Sequence, residues 1–263
     1  MKNSLFNAVF VCTTLIILGF SQHAKAVSYD IFYLVDDSGD MGSVMPDLSN
    51  TIRDSMAIAF TDLDDVAIGV GTYVDFLDPP YGSGQAGIDI PFELLTPMTT
   101  DLFSAQNATN QFNAQGGGDQ FESSLFALHS VASNVPNIGW RSDSVKVIFW
   151  TGNNPGHDGD LEPDYSVCCT DIGLSDTINA LTNENIVVYS FNLFTFASLG
   201  LDGTGQASAI TSATGGTAFD ITSGDVSAYA TTINRLAAIP APASLWLFCS
   251  GLIGLFGFAR YKK

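Results

Sequence analysis

Residues 33–42, YLVDDSGDMG, set an apolar run directly against three acids, Asp36, Asp37 and Asp40. Burying an unpaired carboxylate is costly, so such a cluster lies either in a solvated turn or around a cation. In an extended loop alternate residues point the same way. Asp36, Ser38 and Asp40 would then offer three oxygen donors to one ion. Oxygen donors of this kind suit hard cations, Mg²⁺ or Ca²⁺. A second stretch, GGGDQFESS at residues 116–124, carries Asp119 and Glu122 behind three glycines that let the backbone turn tightly. Acids at a helix N-terminus also favour the helix dipole, which would account for Asp119 alone. Two acidic loops on one rim point instead to a shared ion. Asp47 is a candidate for an adjacent second site.

Other chemistries find no support. The chain has no G-x-S-x-G, no H-E-x-x-H and no G-x-x-x-x-G-K phosphate loop. Its three histidines, His23, His129 and His157, are scattered and show no evident partner in the sequence. We therefore expect a protein that is not an enzyme.

The elements that would carry these loops can be read from hydropathy. Residues 29–35, 66–74, 145–150 and 186–194 are β-rich and almost continuously apolar, as strands covered on both faces tend to be. Between them lie helical patterns. In 46–60, Leu48, Ile52 and Met56 recur every four residues, and 122–135 places Leu125, Leu128, Val131 and Ala132 on one face before Pro136. Shorter helices are expected over 176–183 and 205–213, and a closing one over 226–236. Residues 78–95 and 152–170 read as long loops. Strands alternating with helices predict an α/β fold, a doubly wound and mostly parallel sheet with helices on both faces. Ligands of such sheets bind beyond the carboxyl ends of the strands, where both acidic loops fall.

Both ends look like processing segments. Lys2 precedes an apolar stretch, and Ala24-Lys25-Ala26 offers small residues at signal-peptidase spacing, so residues 1–26 read as a signal peptide cleaved after Ala26. Near the C-terminus, residues 245–259 are uncharged and end at Arg260, Lys262 and Lys263. That run is short for a membrane span, which needs about 20 residues, but with its flanks it would cross a thin bilayer, basic end inward. Between the ends, residues 27–239 hold all 27 acids against four bases, Arg53, Arg141, Lys146 and Arg235, which leaves a net charge of −23. Such a domain repels phosphate backbones and attracts divalent cations, so nucleic acid is excluded as a partner. Of the cysteines only Cys168 and Cys169 remain between the ends, and in an oxidising compartment these neighbours would form a vicinal bridge or pair between chains.

The tail resembles the PEP-CTERM sorting signal of Gram-negative bacteria. Pro240-Ala241-Pro242, an apolar segment and a basic terminus stand in the expected order, with Ala241 where the name-giving Glu usually sits. The resemblance implies processing of residues 240–263 by the membrane enzyme exosortase, a transient stage at the inner membrane, and release to the cell surface or matrix.

Residues 27–239 resemble a von Willebrand factor A domain. The metal-ion-dependent adhesion site of that family reads Asp-x-Ser-x-Ser, and here Asp36-x-Ser38-x-Asp40 stands in its place. The stretches IGVGTYVDF (68–76), GGGDQFESSLFAL (116–128), NIGWRSDSVKVIFWT (137–151) and ATGGTAFDI (213–221) resemble the integrin β-subunit I-like branch most, with hemicentin-type domains close behind. The resemblance implies that Glu122 is a metal ligand and that Asp119 serves a neighbouring cation site. Relatives carry Thr-Asp on the third loop, where this chain has Thr151-Gly152-Asn153-Asn154, so Asn153 or a water stands in for the usual aspartate. It further implies a secreted adhesion or binding module whose Mg²⁺ or Ca²⁺ is completed by the carboxylate of an extracellular protein or matrix component. The alternative is a structural protein of the extracellular polysaccharide matrix, with the cation serving only stability.

Overall fold

The computed structural model describes residues 27–160, 171–195 and 198–238. Strand β1 (Ser28–Asp36) is buried at every position and pairs in parallel with both β2 (Asp65–Tyr73) and β4 (Ser144–Gly152). It is therefore the centre of the sheet, which explains why its sequence is a continuous apolar run. Beyond β2 lies β3 (Glu93–Thr99), antiparallel, and beyond β4 come β5 (Ile186–Leu193) and β6 (Ala218–Ile221), both parallel. The six-stranded order is β3-β2-β1-β4-β5-β6. The chain runs outward from β1 in one direction and then returns to β4 on its other side, so the switch point lies between β1 and β4.

Side chains alternate across the sheet with period two. Ile31, Tyr33, Val35, Val147 and Phe149 enter a core with α1 (Met45–Asp62) and α6 (Ser227–Ala237). Phe32, Leu34, Ile148 and Trp150 enter a second core with α3 (Ser124–Ala132), α4 (Leu174–Asn183) and α5 (Gln206–Thr214). The mixed α/β sheet with helices on both faces is the architecture that the hydropathy pattern predicts.

The details differ at the edges. Residues 78–95 read as loop, yet β3 begins at Glu93, and α2 (Leu102–Ala108) follows it. Strand β3 is an edge strand, mostly half-buried, so it lacks an apolar run. The short α2 starts at Asp101, whose side chain accepts from the Phe103 amide. Helix α3 begins at Ser124, two residues after Glu122, because Glu122 is held in a parallel bridge to Gly156.

The amino end of the sheet is locked by Arg141. Its Nε lies 2.6 Å from Asp30 Oδ1 and its Nη1 2.6 Å from Asp65 Oδ1, while Nη2 donates to the Tyr29 carbonyl. The Asp30 side chain has no solvent exposure and also accepts from the Arg141 amide and the Ser144 hydroxyl. One guanidinium thus ties β1 to the start of β2, and Asp30 ties in the start of β4.

Candidate metal centre

At the carboxyl end of β1 the extended backbone expected through Asp40 ends at Ser38, and a 3-10 turn over Gly39–Ser43 carries Asp40. Asp36 Oδ1 accepts from the Ser38 amide at 3.0 Å, and Ser38 Oγ donates to Asp40 Oδ1 at 2.9 Å. Ser38 stands between the acids, and its hydroxyl favours the charged forms of both Asp36 and Glu122. Asp36, Ser38 and Glu122 are buried, whereas Asp40 is exposed at the edge. The third loop closes the group. Asn154 Nδ2 donates to Asp40 Oδ2 at 2.8 Å, and the backbone of Asn153 favours the charged form of Asp36.

Three buried oxygens here have no hydrogen-bond partner: Asp36 Oδ2, Glu122 Oε2 and Asn153 Oδ1. A bare buried acceptor costs the desolvation of that group, so a proton, a water or a cation that reached these three would relieve it. The electrostatics agree. Burial, then the charge of Asp40, pushes the Asp36 carboxyl up to about 7 against the hydrogen bonds from Ser38. Burial and the charges of Asp36, Asp75 and Asp40 hold Glu122 well above the ordinary range. Both groups are poised to take a proton or a cation. The donor set is all oxygen, and it fits a hard divalent ion.

Asp37 faces elsewhere. Its carboxylate accepts from the Asn113 and Ala114 amides at 2.7–3.0 Å and so holds the segment after α2 against the rim. Asp89, which sequence reasoning passed over, does the same for the glycine turn. It accepts from the Gly117 and Gln85 amides and from Ser83 Oγ, and these bonds outweigh its burial and leave its carboxyl lowered. Gly116 and Gly117 have φ of 84° and 80°, so glycine is needed at both for this turn.

The third loop has no room for an aspartate after Thr151. A Cβ at Gly152 would fall 2.4 Å from the Tyr73 hydroxyl and 3.0 Å from Asp36 Oδ2. Asn153 has its Nδ2 committed to Thr195 Oγ1 and its buried Oδ1 bare. Asn154, not anticipated, reaches Asp40. Asp47 is exposed in the first turn of α1, where its charge suits the helix dipole.

Asp119 is brought to a different group. Asp75, two residues beyond β2, and His157 of the third loop lie with it, their ligand atoms all within 4.8 Å of one another. Among the described residues this is the one such group of three acid, histidine or cysteine side chains. The expectation that His157 lacks a partner is therefore corrected: its Nε2 is 3.1 Å from Asp75 Oδ1 and 3.7 Å from Asp119 Oδ1. The cause is the Glu122–Gly156 bridge, through which the His157 amide donates to the Glu122 carbonyl at 2.8 Å. Of the three only Asp75 left a signal of its own position, since it follows the apolar run of β2 as Asp36 closes that of β1; their grouping left none.

Ala26, Cys168, Cys169, Pro240, Ala241 and Pro242 lie outside the described residues. Among the described residues no helix is long and apolar enough to cross a membrane.

No protein-family model and no curated protein matches the chain. Among solved structures, the SpRpn10 VWA domain superposes with a TM-score of 0.50 at 12% identity, over 76% of this chain and 94% of that one. At that identity the likeness shows the fold alone: the described residues have a von Willebrand factor A-like fold.

Proposed function

We propose that the chain is an exported bacterial binding or adhesion module of the integrin β I-like and hemicentin-type branch. Its divalent cation, Mg²⁺ or Ca²⁺, would be held by Asp36, Ser38 and Glu122, with Asp40 and Asn153 at the edge. The observation that carries this reading is the trio of bare buried oxygens at the carboxyl rim. A partner's carboxylate completes the shell. With a net charge of −23 between the two end segments, the domain repels such a partner unless a cation stands between them. The rim also exposes Leu77, Phe194 and Leu199 at 43, 63 and 42%. Leu77 and Phe194 lie just beyond β2 and β5, and the Leu199 amide donates to Asn154 Oδ1. Apolar side chains around a polar anchor are what a protein-binding rim requires.

Export rests on the signal peptide of residues 1–26, and passage through the inner membrane on the exosortase-type tail. Catalysis is not part of the proposal, because no nucleophile with an attendant base is found among the motifs. The matrix-protein reading keeps one observation in its favour: Asp36 and Glu122 repel each other, so a cation would stabilise the fold whether or not a partner binds. A pull-down from the producer's own surface material, with and without chelator, separates the two. Capture that disappears with chelator supports the adhesin. Capture that persists while only the melting temperature falls supports the structural role.

A further inference from the structure

We propose that the groove between α1 and the segment after α2 binds an acidic sugar, a uronic acid unit whose carboxylate pairs with Arg53. The groove is a cavity of about 330 Å³, in the lower part of the range that ligand pockets span. In a domain with 27 acids and four bases, no Asp or Glu lines it, whereas Arg53 does. Among the described residues no carboxylate pairs with Arg53. Its Nε donates to Thr109 Oγ1 at 2.6 Å and its Nη2 to Asn110 Oδ1, which fixes the plane of the guanidinium and leaves Nη1 without a protein partner.

Two more donors of the lining are unspent. Asn113 accepts from Gln115 through Oδ1 and keeps its Nδ2, and the Ser49 hydroxyl makes only a long 3.5 Å contact with the Thr109 carbonyl. Asp37 lies behind this wall, but its oxygens are taken by the Asn113 and Ala114 amides. Donors left without acceptors select a ligand rich in oxygen, and a guanidinium held in plane suits a carboxylate. The rest of the lining is apolar, with Met45, Pro46 and Phe112 at its centre. The C–H face of a sugar ring packs on such a surface while the hydroxyls at the ring's edge meet Asn113 and Ser49. A uronic acid carries all three features, whereas a small inorganic anion would leave the apolar wall uncovered. This recognition needs no cation, so it is independent of the rim centre.

The test is calorimetric titration with glucuronate at low salt, on the full chain stripped of divalent ions over a chelating resin. Saturable binding at one site is expected, equal in the wild type and in Asp36→Ala. Arg53→Met should weaken it by at least about tenfold, the loss that a hydrogen bond to a charged group represents. Ser49→Leu places a good helix former at a half-buried position of α1, so it should leave the fold intact, fill the cavity and weaken binding with Arg53 still in place. No binding of glucuronate by the wild type would overturn the proposal. Glucose or acetate bound as tightly as glucuronate would overturn it too, since the carboxylate or the ring would then go unread. Loss of binding in Asp36→Ala, or unchanged binding in both Arg53→Met and Ser49→Leu, would place the sugar elsewhere and equally overturn it.

Discussion

Asp36 and Asp37 are neighbours in the chain and have different tasks. Both are buried acids, but Asp37 spends its oxygens on two backbone amides, whereas Asp36 keeps one oxygen bare beside Glu122. Asp37→Ala should therefore lower the unfolding free energy by about 2 kcal/mol, the worth of hydrogen bonds to a charged group. It should still gain stability on adding cation, measured against its own chelated baseline. Loss of that gain would place Asp37 among the ligands. The pH dependence follows from Asp36. Its folded pKa of about 7 lies above the ordinary 3.8, so between the two the folded state holds a proton that the unfolded state lacks. Stability of the metal-free protein thus falls as pH rises through this window and levels off above it. A cation must displace that proton. The cation-induced rise in melting temperature should be greatest near pH 8 and shrink by about pH 5; an equal rise at both would contradict the assignment. Strand-end position singled out Asp36 and Ser38 in the sequence, and Glu122 was singled out as a ligand only by the resemblance to a known family. The His157 group was not, because its three members come from separate loops that only the folded rim assembles.

At the scale of elements, the sheet was legible where burial is two-sided and dim where it is not. Strand β1 announces itself through a run of buried residues, while β3 is half-buried and β6 is four residues long. Neither carries enough apolar pattern to be seen. Arg141 was equally silent, since nothing local marks it as the partner of Asp30. Replacing it with Met should leave Asp30 buried without its charge partner and cost about 3 kcal/mol or more in urea unfolding. A loss below about 1 kcal/mol, the range of an exposed pair, would show that the latch adds little. The bridge between the second and third loops is open to a similar test. A Cβ at Gly156 would lie 2.5 Å from Ser124 Oγ and 2.9 Å from Leu125 Cγ. Gly156→Ala should therefore push the third loop off Glu122 and weaken the proposed cation binding at the rim, as titration with Mg²⁺ would reveal. Undiminished binding would mean that the bridge does not set the geometry of the rim.

For the whole molecule, two features act together: a strongly acidic domain and two end segments that read as export and sorting signals. If they act so, deleting residues 245–263 should send the protein directly to the periplasm or medium, whereas the intact chain should pass through a membrane-bound stage. Equal distribution of the two forms on fractionation would remove the tail as a sorting signal. The central claim is that the rim of β1 holds a divalent cation through Asp36. It is tested most directly by melting the wild type and Asp36→Ala in chelator and then in millimolar Mg²⁺ or Ca²⁺. An ion bound only by the folded state stabilises it by about 2.7 kcal/mol at a hundredfold excess over Kd. The wild type should therefore melt several degrees higher with cation, and Asp36→Ala should not respond. A wild type indifferent to both ions, or an Asp36→Ala that gains as much, would contradict the claim.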